Sequence, residues 1–139
     1  MKTGKELIIL IAEDDDGHAE LIHEGLIEAG ICNPIQRFVN GEECWNFISG
    51  NGREPSRSYL LLLDINMPRM DGIEVLRRMK ADEQLKHIPV MMLTTTDDPR
   101  EVETCYQLGC NIYITKPVQF DRFAETLRRM GLFIQIVKI

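Results

Sequence analysis

Apolar runs alternate with amphipathic stretches along the chain, and each pattern predicts a different element. Leu7-Ile8-Ile9-Leu10-Ile11-Ala12 has no polar alternation, as expected of a strand covered on both faces. From His18 to Ala29 the residues Leu21, Ile22, Gly25, Leu26 and Ala29 recur at helical spacing, and Gly30 supplies a stop. Ile35 to Val39 predicts a short second strand, after which Asn40-Gly41 opens a helix through Ile48. Tyr59 to Leu63 is again uniformly apolar and ends at Asp64; a third helix follows from Gly72 to Lys80. Val90 to Leu93 predicts a fourth strand ending at Thr94. Pro99 suits the first turn of a helix capped by Asp97 or Asp98, running to about Leu108 and stopped by Gly109. Asn111 to Thr115 predicts a fifth strand ending at Lys116-Pro117, and a last helix covers about Gln119 to Met130.

Five strand–helix pairs with short connections predict an α/β fold, a doubly wound parallel sheet with helices on both faces. The 139 residues suit one domain, and with 44% of them hydrophobic the chain can bury a core. No internal repeat or linker interrupts the pattern. Residues 1–131 are therefore expected to form the domain, with 132–139 as an apolar C-terminal extension of it. That extension, Leu132 to Ile139, is rich in β-branched residues. Two readings stay open: an arm that supports a homodimer, or a segment folded back on its own domain.

A formal net charge of −6 and a pI near 5.1 argue against an intrinsic preference for nucleic acid and leave protein partners open. The run Leu7 to Ala12 is too short to span a membrane and lacks a signal-cleavage pattern, so a cytoplasmic protein with no membrane partner is expected. Cys32, Cys44, Cys105 and Cys110 form no CxxC pair and no zinc spacing; free thiols, buried or half-buried, are expected.

In a parallel α/β sheet the ligand site forms beyond the carboxyl ends of the strands. Strand one ends in Glu13-Asp14-Asp15, strand three in Asp64, strand four in Thr94 and strand five in Lys116. Taken singly, a strand-end carboxylate is usually a helix cap or a solvated loop residue, and a lysine a surface group. Together at one rim they have a chemical logic. Crowded carboxylates repel one another unless a cation neutralises them, and hard oxygen ligands suit Mg²⁺. Lys116 and the Thr94 hydroxyl can then take oxygens of a phosphoryl group on Asp64, since phosphoryl transfer needs mostly positioning and charge neutralisation.

Glu13-Asp14, the string Asp64-Ile65-Asn66-Met67-Pro68-Arg69-Met70-Asp71-Gly72, Thr94 and Lys116-Pro117 together resemble the signature of response-regulator receiver domains. The match runs from Leu7 to about Met130. The resemblance implies a flavodoxin-like strand order, 2-1-3-4-5. It implies Asp64 as the phosphoacceptor, with Glu13 and Asp14 placing Mg²⁺. Asp14 and Asp64 are the more direct ligands, and the backbone carbonyl of Asn66 completes the set. Lys116 would pair with the phosphate, its peptide bond to Pro117 being cis in the family. Thr94 and Tyr113 look like the switch pair, although Tyr113 considered alone is ordinary half-exposed strand packing. Asn66, Thr95 and Thr96 would flank the phosphate; none is charged, so none supplies a general base.

For function, the resemblance implies a binding switch, not an enzyme with a separate substrate, although family members catalyse their own phosphorylation and dephosphorylation. The expected partner is a sensor histidine kinase or a phosphotransfer protein, and the likeness to small single-domain regulators points to a phytochrome-type kinase. No DNA-binding domain is expected, so the message would pass through a changed surface of helix 4, strand 5 and helix 5. A phosphate-sink or relay role is compatible with the same residues. Two rivals fit less well. A haloacid-dehalogenase-type phosphatase would carry an acid where Asn66 stands, and a flavodoxin-like cofactor carrier would need a phosphate loop where Glu13-Asp14-Asp15 stand.

Overall fold

All six residues of Leu7–Ala12 are buried, and as strand β1 they run through the interior of a sheet. The computed structural model describes residues 6–50, 52–54, 56–95 and 97–116. Within them β1 is joined by β2 (Ile35–Phe38), β3 (Ser58–Leu63), β4 (Val90–Thr94) and β5 (Ile112–Thr115). All pairings are parallel and the order is β2-β1-β3-β4-β5. The connecting helices are α1 (Asp16–Glu28), α2 (Gly41–Ser49), α3 (Gly72–Lys80) and α4 (Pro99–Leu108). This is the doubly wound parallel sheet that the sequence pattern predicts, in the flavodoxin-like order that the resemblance implies.

The two-residue period of the strands divides the core in two. Ile8, Leu10, Leu61, Leu63 and Met92 point to one face and meet Cys44 and Ile48 of α2, Val75, Leu76 and Met79 of α3, and Cys105 of α4. Leu7, Ile9, Ile11, Leu60, Leu62, Met91 and Leu93 point the other way, to Ile22 and Leu26 of α1. Fully burying each such side chain contributes about 1.5–3 kcal/mol. That is why these runs read as continuously apolar.

Local chemistry sets the boundaries. Asp15 accepts a hydrogen bond from the His18 backbone N–H at 2.9 Å, so α1 begins at Asp16, earlier than its apolar spacing indicates. Its packed residues are Ala19, Ile22, Gly25 and Leu26, whereas Leu21, expected on the apolar face, is 64% exposed. Asn40 and Asp71 cap α2 and α3 through the N–H groups of Glu43 and Glu74. Asp98, not Asp97, caps α4. Gly109 ends that helix in the left-handed region at φ 107°, as a glycine stop should. Cys44, Cys105 and Cys110 are buried free thiols, but Cys32 is exposed, against expectation: it stands in the turn before β2 rather than on a packed face. The helix expected at about Gln119 to Met130, the segment 132–139, Thr96 and the peptide bond to Pro117 lie outside the described residues.

Candidate functional site

The strand order reverses between β1 and β3, which opens the rim of the sheet there. Backbone pairing carries the chain one residue past each strand and so fixes the rim side chains. The N–H of Glu13 donates to the Phe38 carbonyl at 3.1 Å, that of Asp64 to Ala12 at 3.0 Å, and that of Lys116 to Thr94 at 2.9 Å. Four residues from four strands are thereby held on one edge.

Glu13 is 1% exposed, Asp64 8% and Thr94 fully buried. The acids after β1 divide their tasks. Glu13 turns inward, Asp14 is exposed at the rim, Asp15 caps α1, and Asp16 pairs with Arg37 at 2.8 Å. One carboxylate oxygen each from Glu13, Asp14 and Asp64 lies within 4.8 Å of the others. Lys116 reaches into this group, ion-pairing with Glu13 Oε1 and lying 3.4 Å from Asp64 Oδ2. Burial pushes the Glu13 carboxyl above its usual range, and neighbouring Asp64 adds to this; the Lys116 ammonium and the Asp15 N–H pull the other way.

Asp64 Oδ1 is buried with no hydrogen-bond partner among the described residues. An unsatisfied buried oxygen costs about 1–3 kcal/mol. A hard cation would relieve that cost, and three clustered carboxylates are the donor chemistry a divalent ion requires, so the residues fit such an ion.

The loop after Asp64 is shaped by close contacts. The Gly72 N–H donates to the Ile65 carbonyl at 2.8 Å, and a Cβ on Gly72 would lie 2.1 Å from the Asp64 carbonyl oxygen. Met67 is buried as an anchor, while Asn66 is exposed. Arg69 sits at φ 71°, the centre of a tight turn in which the Met70 N–H donates to the Pro68 carbonyl at 2.8 Å. Its guanidinium pairs with Glu42 at 3.1 Å, tying the loop to α2.

On the neighbouring strands, Tyr113 is half-buried against the core on the α2–α4 side. Burial, with Cys105 and nearby acids, raises its hydroxyl to about 12. Its backbone N–H donates to the Tyr106 hydroxyl at 3.0 Å, joining β5 to α4. Thr95 is exposed next to the rim.

Two polar residues at the site are not singled out by the sequence pattern. His18 Nδ1 lies 3.1 Å from Lys116 Nζ and 4.0 Å from Glu13 Oε1. An ammonium only donates, so this ring nitrogen can bond Lys116 only as an acceptor. An earlier start to α1, signalled by Asp15 as a cap three residues before His18, would have placed it at the rim. Arg37 donates from Nε and Nη2 to the Glu13 carbonyl at 3.0 and 2.8 Å. Nothing local signals that contact, because Arg37 belongs to another strand.

Comparison with known proteins agrees with this geometry. The family model of the response regulator receiver domain matches residues 9–128. The polar-differentiation response regulator DivK of Brucella anthropi is 37% identical over 120 residues, covering 86% of this chain and 92% of DivK. Response regulator Rcp1 of Synechocystis is 35% identical over 111 residues, 78% of this chain and 76% of Rcp1. Among solved structures, a receiver domain from Rhodospirillum rubrum superposes with a TM-score of 0.75 at 41% identity, covering 94% of this chain and 97% of that one. The bacteriophytochrome response regulator AtBRR gives 0.80 at 30% identity, with 93% and 95% covered. The Mn²⁺-bound form of Rcp1 gives 0.72 at 30%, with 92% and 94% covered. With its fold, strand order and nearly its whole length matched, the chain belongs to the response regulator receiver domain family, the signalling switches of two-component systems.

Proposed function

We propose that this chain accepts a phosphoryl group on Asp64 from a sensor histidine kinase or a phosphotransfer protein, and that the acyl phosphate changes its binding surface. The observation that carries the reading is the state of the Asp64 carboxylate. Oδ2 faces Lys116 Nζ at 3.4 Å, and Oδ1 is buried without a partner among the described residues beside Glu13 and Asp14.

In the transfer an Asp64 oxygen attacks phosphorus while the phosphorus–nitrogen bond of the donor histidine breaks. Its electron pair returns to the imidazole, which takes up a proton, and an acyl phosphate remains on Asp64. Glu13, Asp14, Asp64 and the Asn66 carbonyl would hold Mg²⁺, which when bound neutralises charge on the phosphoryl oxygens; the Mn²⁺-bound form of Rcp1 supports a divalent site. Lys116 supplies a fixed positive charge beside Asp64 Oδ2. Asn66, Thr95 and Thr96 would flank the phosphoryl group, and as uncharged residues they would neither activate nor repel an attacking water by charge.

Thr94 and Tyr113 carry the change outward. The buried Thr94 hydroxyl and the half-buried Tyr113 ring stand on adjacent strands, so a hydrogen bond newly offered by the phosphate would bias both. The likeness to AtBRR, a bacteriophytochrome response regulator, supports a kinase of phytochrome type. We take residues 1–131 as the receiver, which the matched span 9–128 supports, 132–139 as its extension, and the cytoplasm as its compartment.

Intact-mass analysis after incubation with acetyl phosphate and Mg²⁺ tests the reading. One Mg²⁺-dependent phosphoryl adduct is expected, and none on Asp64→Asn. An adduct that persisted on Asp64→Asn would refute Asp64 as the acceptor.

A further inference from the structure

The loop that carries Glu13 and Asp14 is held from β2. Arg37, the third residue of that strand, directs Nε and Nη2 to the Glu13 carbonyl oxygen at 3.0 and 2.8 Å, while Nη1 pairs with Asp16 Oδ1 at 2.8 Å. One guanidinium thus spans both ends of the segment Glu13–Asp16. Asp14 lies between them, and among the described residues no hydrogen bond holds its carboxylate. Asp14 is therefore placed through its backbone, which the Arg37 clamp holds together with the Glu13 N–H bond to Phe38 and the Asp15 cap of α1.

We infer that Arg37 is a positioning residue for the divalent-cation site, acting through the backbone of Glu13 and the aim of Asp14; the inference rests on the metal role proposed for Glu13, Asp14 and Asp64. Two effects of Arg37 oppose each other. Its positive charge close to the acids weakens cation binding, whereas the clamp strengthens it by holding the ligands in place. Asp16 offsets part of the guanidinium charge through the 2.8 Å pair, and solvent around its 91% exposed side chain screens more of it, so positioning is expected to outweigh charge. Groups that hold metal ligands from behind typically change affinity by about 10–100-fold when removed. Lysine cannot reproduce the clamp, because a single ammonium does not form two parallel bonds to one carbonyl while reaching a second carboxylate.

The test is Mn²⁺ affinity of the full chain, read from water-proton relaxation, with the metal-free melting temperature measured alongside. Arg37→Met should weaken Mn²⁺ binding about tenfold, and Arg37→Lys should recover only part of it. Should Arg37→Met fail to fold, Arg37→Lys decides, since it keeps the charge and loses the fork. Tighter binding by Arg37→Met would show that charge outweighs the clamp and would overturn the inference. So would a lowered melting temperature with unchanged Mn²⁺ affinity, which is the mark of a structural role alone. A wild-type chain that bound no Mn²⁺ would instead remove the metal reading itself, and this inference with it.

Discussion

Lys116 Nζ lies 3.4 Å from Asp64 Oδ2 and also ion-pairs with Glu13, so one ammonium sits between the ends of β1 and β3. It arrives from the end of β5, 103 residues along the chain from Glu13. The Lys116 side chain is 10% exposed and that of Glu13 1%, so each charge depends on the other for its solvation.

Replacing Lys116 by methionine should therefore lower stability by about 3 kcal/mol, near the bottom of the range for a broken buried pair, because Glu13 can take up a proton in response. Urea unfolding in the presence of a chelator measures this. A change under about 1 kcal/mol would show that the pair contributes no more than an exposed one.

Divalent cations should stabilise the chain by relieving the repulsion among Glu13, Asp14 and Asp64. At a hundredfold excess over Kd the gain is about 2.7 kcal/mol. Asp64→Asn should lose most of that gain while being no less stable than wild type without metal, since it removes one of three mutually repelling acids. Thermal unfolding with and without Mg²⁺ distinguishes the two; a metal-free Asp64→Asn chain that melts well below wild type would contradict it.

Burial pushes the Cys44 thiol up to about 12, and those of Cys105 and Cys110 to about 11, from an ordinary 9.0. The folded chain therefore holds these protons more tightly than the unfolded one. Their contribution to stability is fully present below pH 9.0 and is lost as pH rises toward the folded values. Urea midpoints should fall between pH 9.0 and about 11 by more in wild type than in Cys105→Ala, the window between the ordinary and the raised value. In native protein at neutral pH, iodoacetamide should label Cys32 alone, the exposed thiol. Native labelling of Cys44 would contradict its placement.

Gly72→Ala would press its methyl group against the Asp64 carbonyl, at 2.1 Å, where only backbone can yield. A loss of about 2 kcal/mol or more is expected by urea unfolding. Slower phosphorylation by acetyl phosphate should accompany it, because the shift falls on the Asp64 backbone. Normal stability would show that the loop has room the geometry does not indicate.

How much of the molecule is legible in its sequence depends on how local each cause is. The apolar runs of β1, β3 and β4 could be read because strands covered on both faces leave no polar alternation. The starts of α3 and α4 could be read because Pro99 and a capping aspartate act within one turn. Even the acids that cluster at the rim, Glu13, Asp14 and Asp64, could be named, since strand ends of a parallel sheet share one edge. The sequence by itself thus determined the elements, the fold and the kinds of group at the rim. Only the tertiary structure decided which of those groups touch. Strand register and side-chain reach place Lys116 between Glu13 and Asp64, bring His18 to Lys116, and close Arg37 of β2 on the Glu13 carbonyl. The same packing exposes Leu21 and leaves Asp64 Oδ1 without a hydrogen-bond partner among the described residues. Periodicity and capping act over a few residues, whereas these contacts join segments about twenty to one hundred positions apart, which no local pattern encodes.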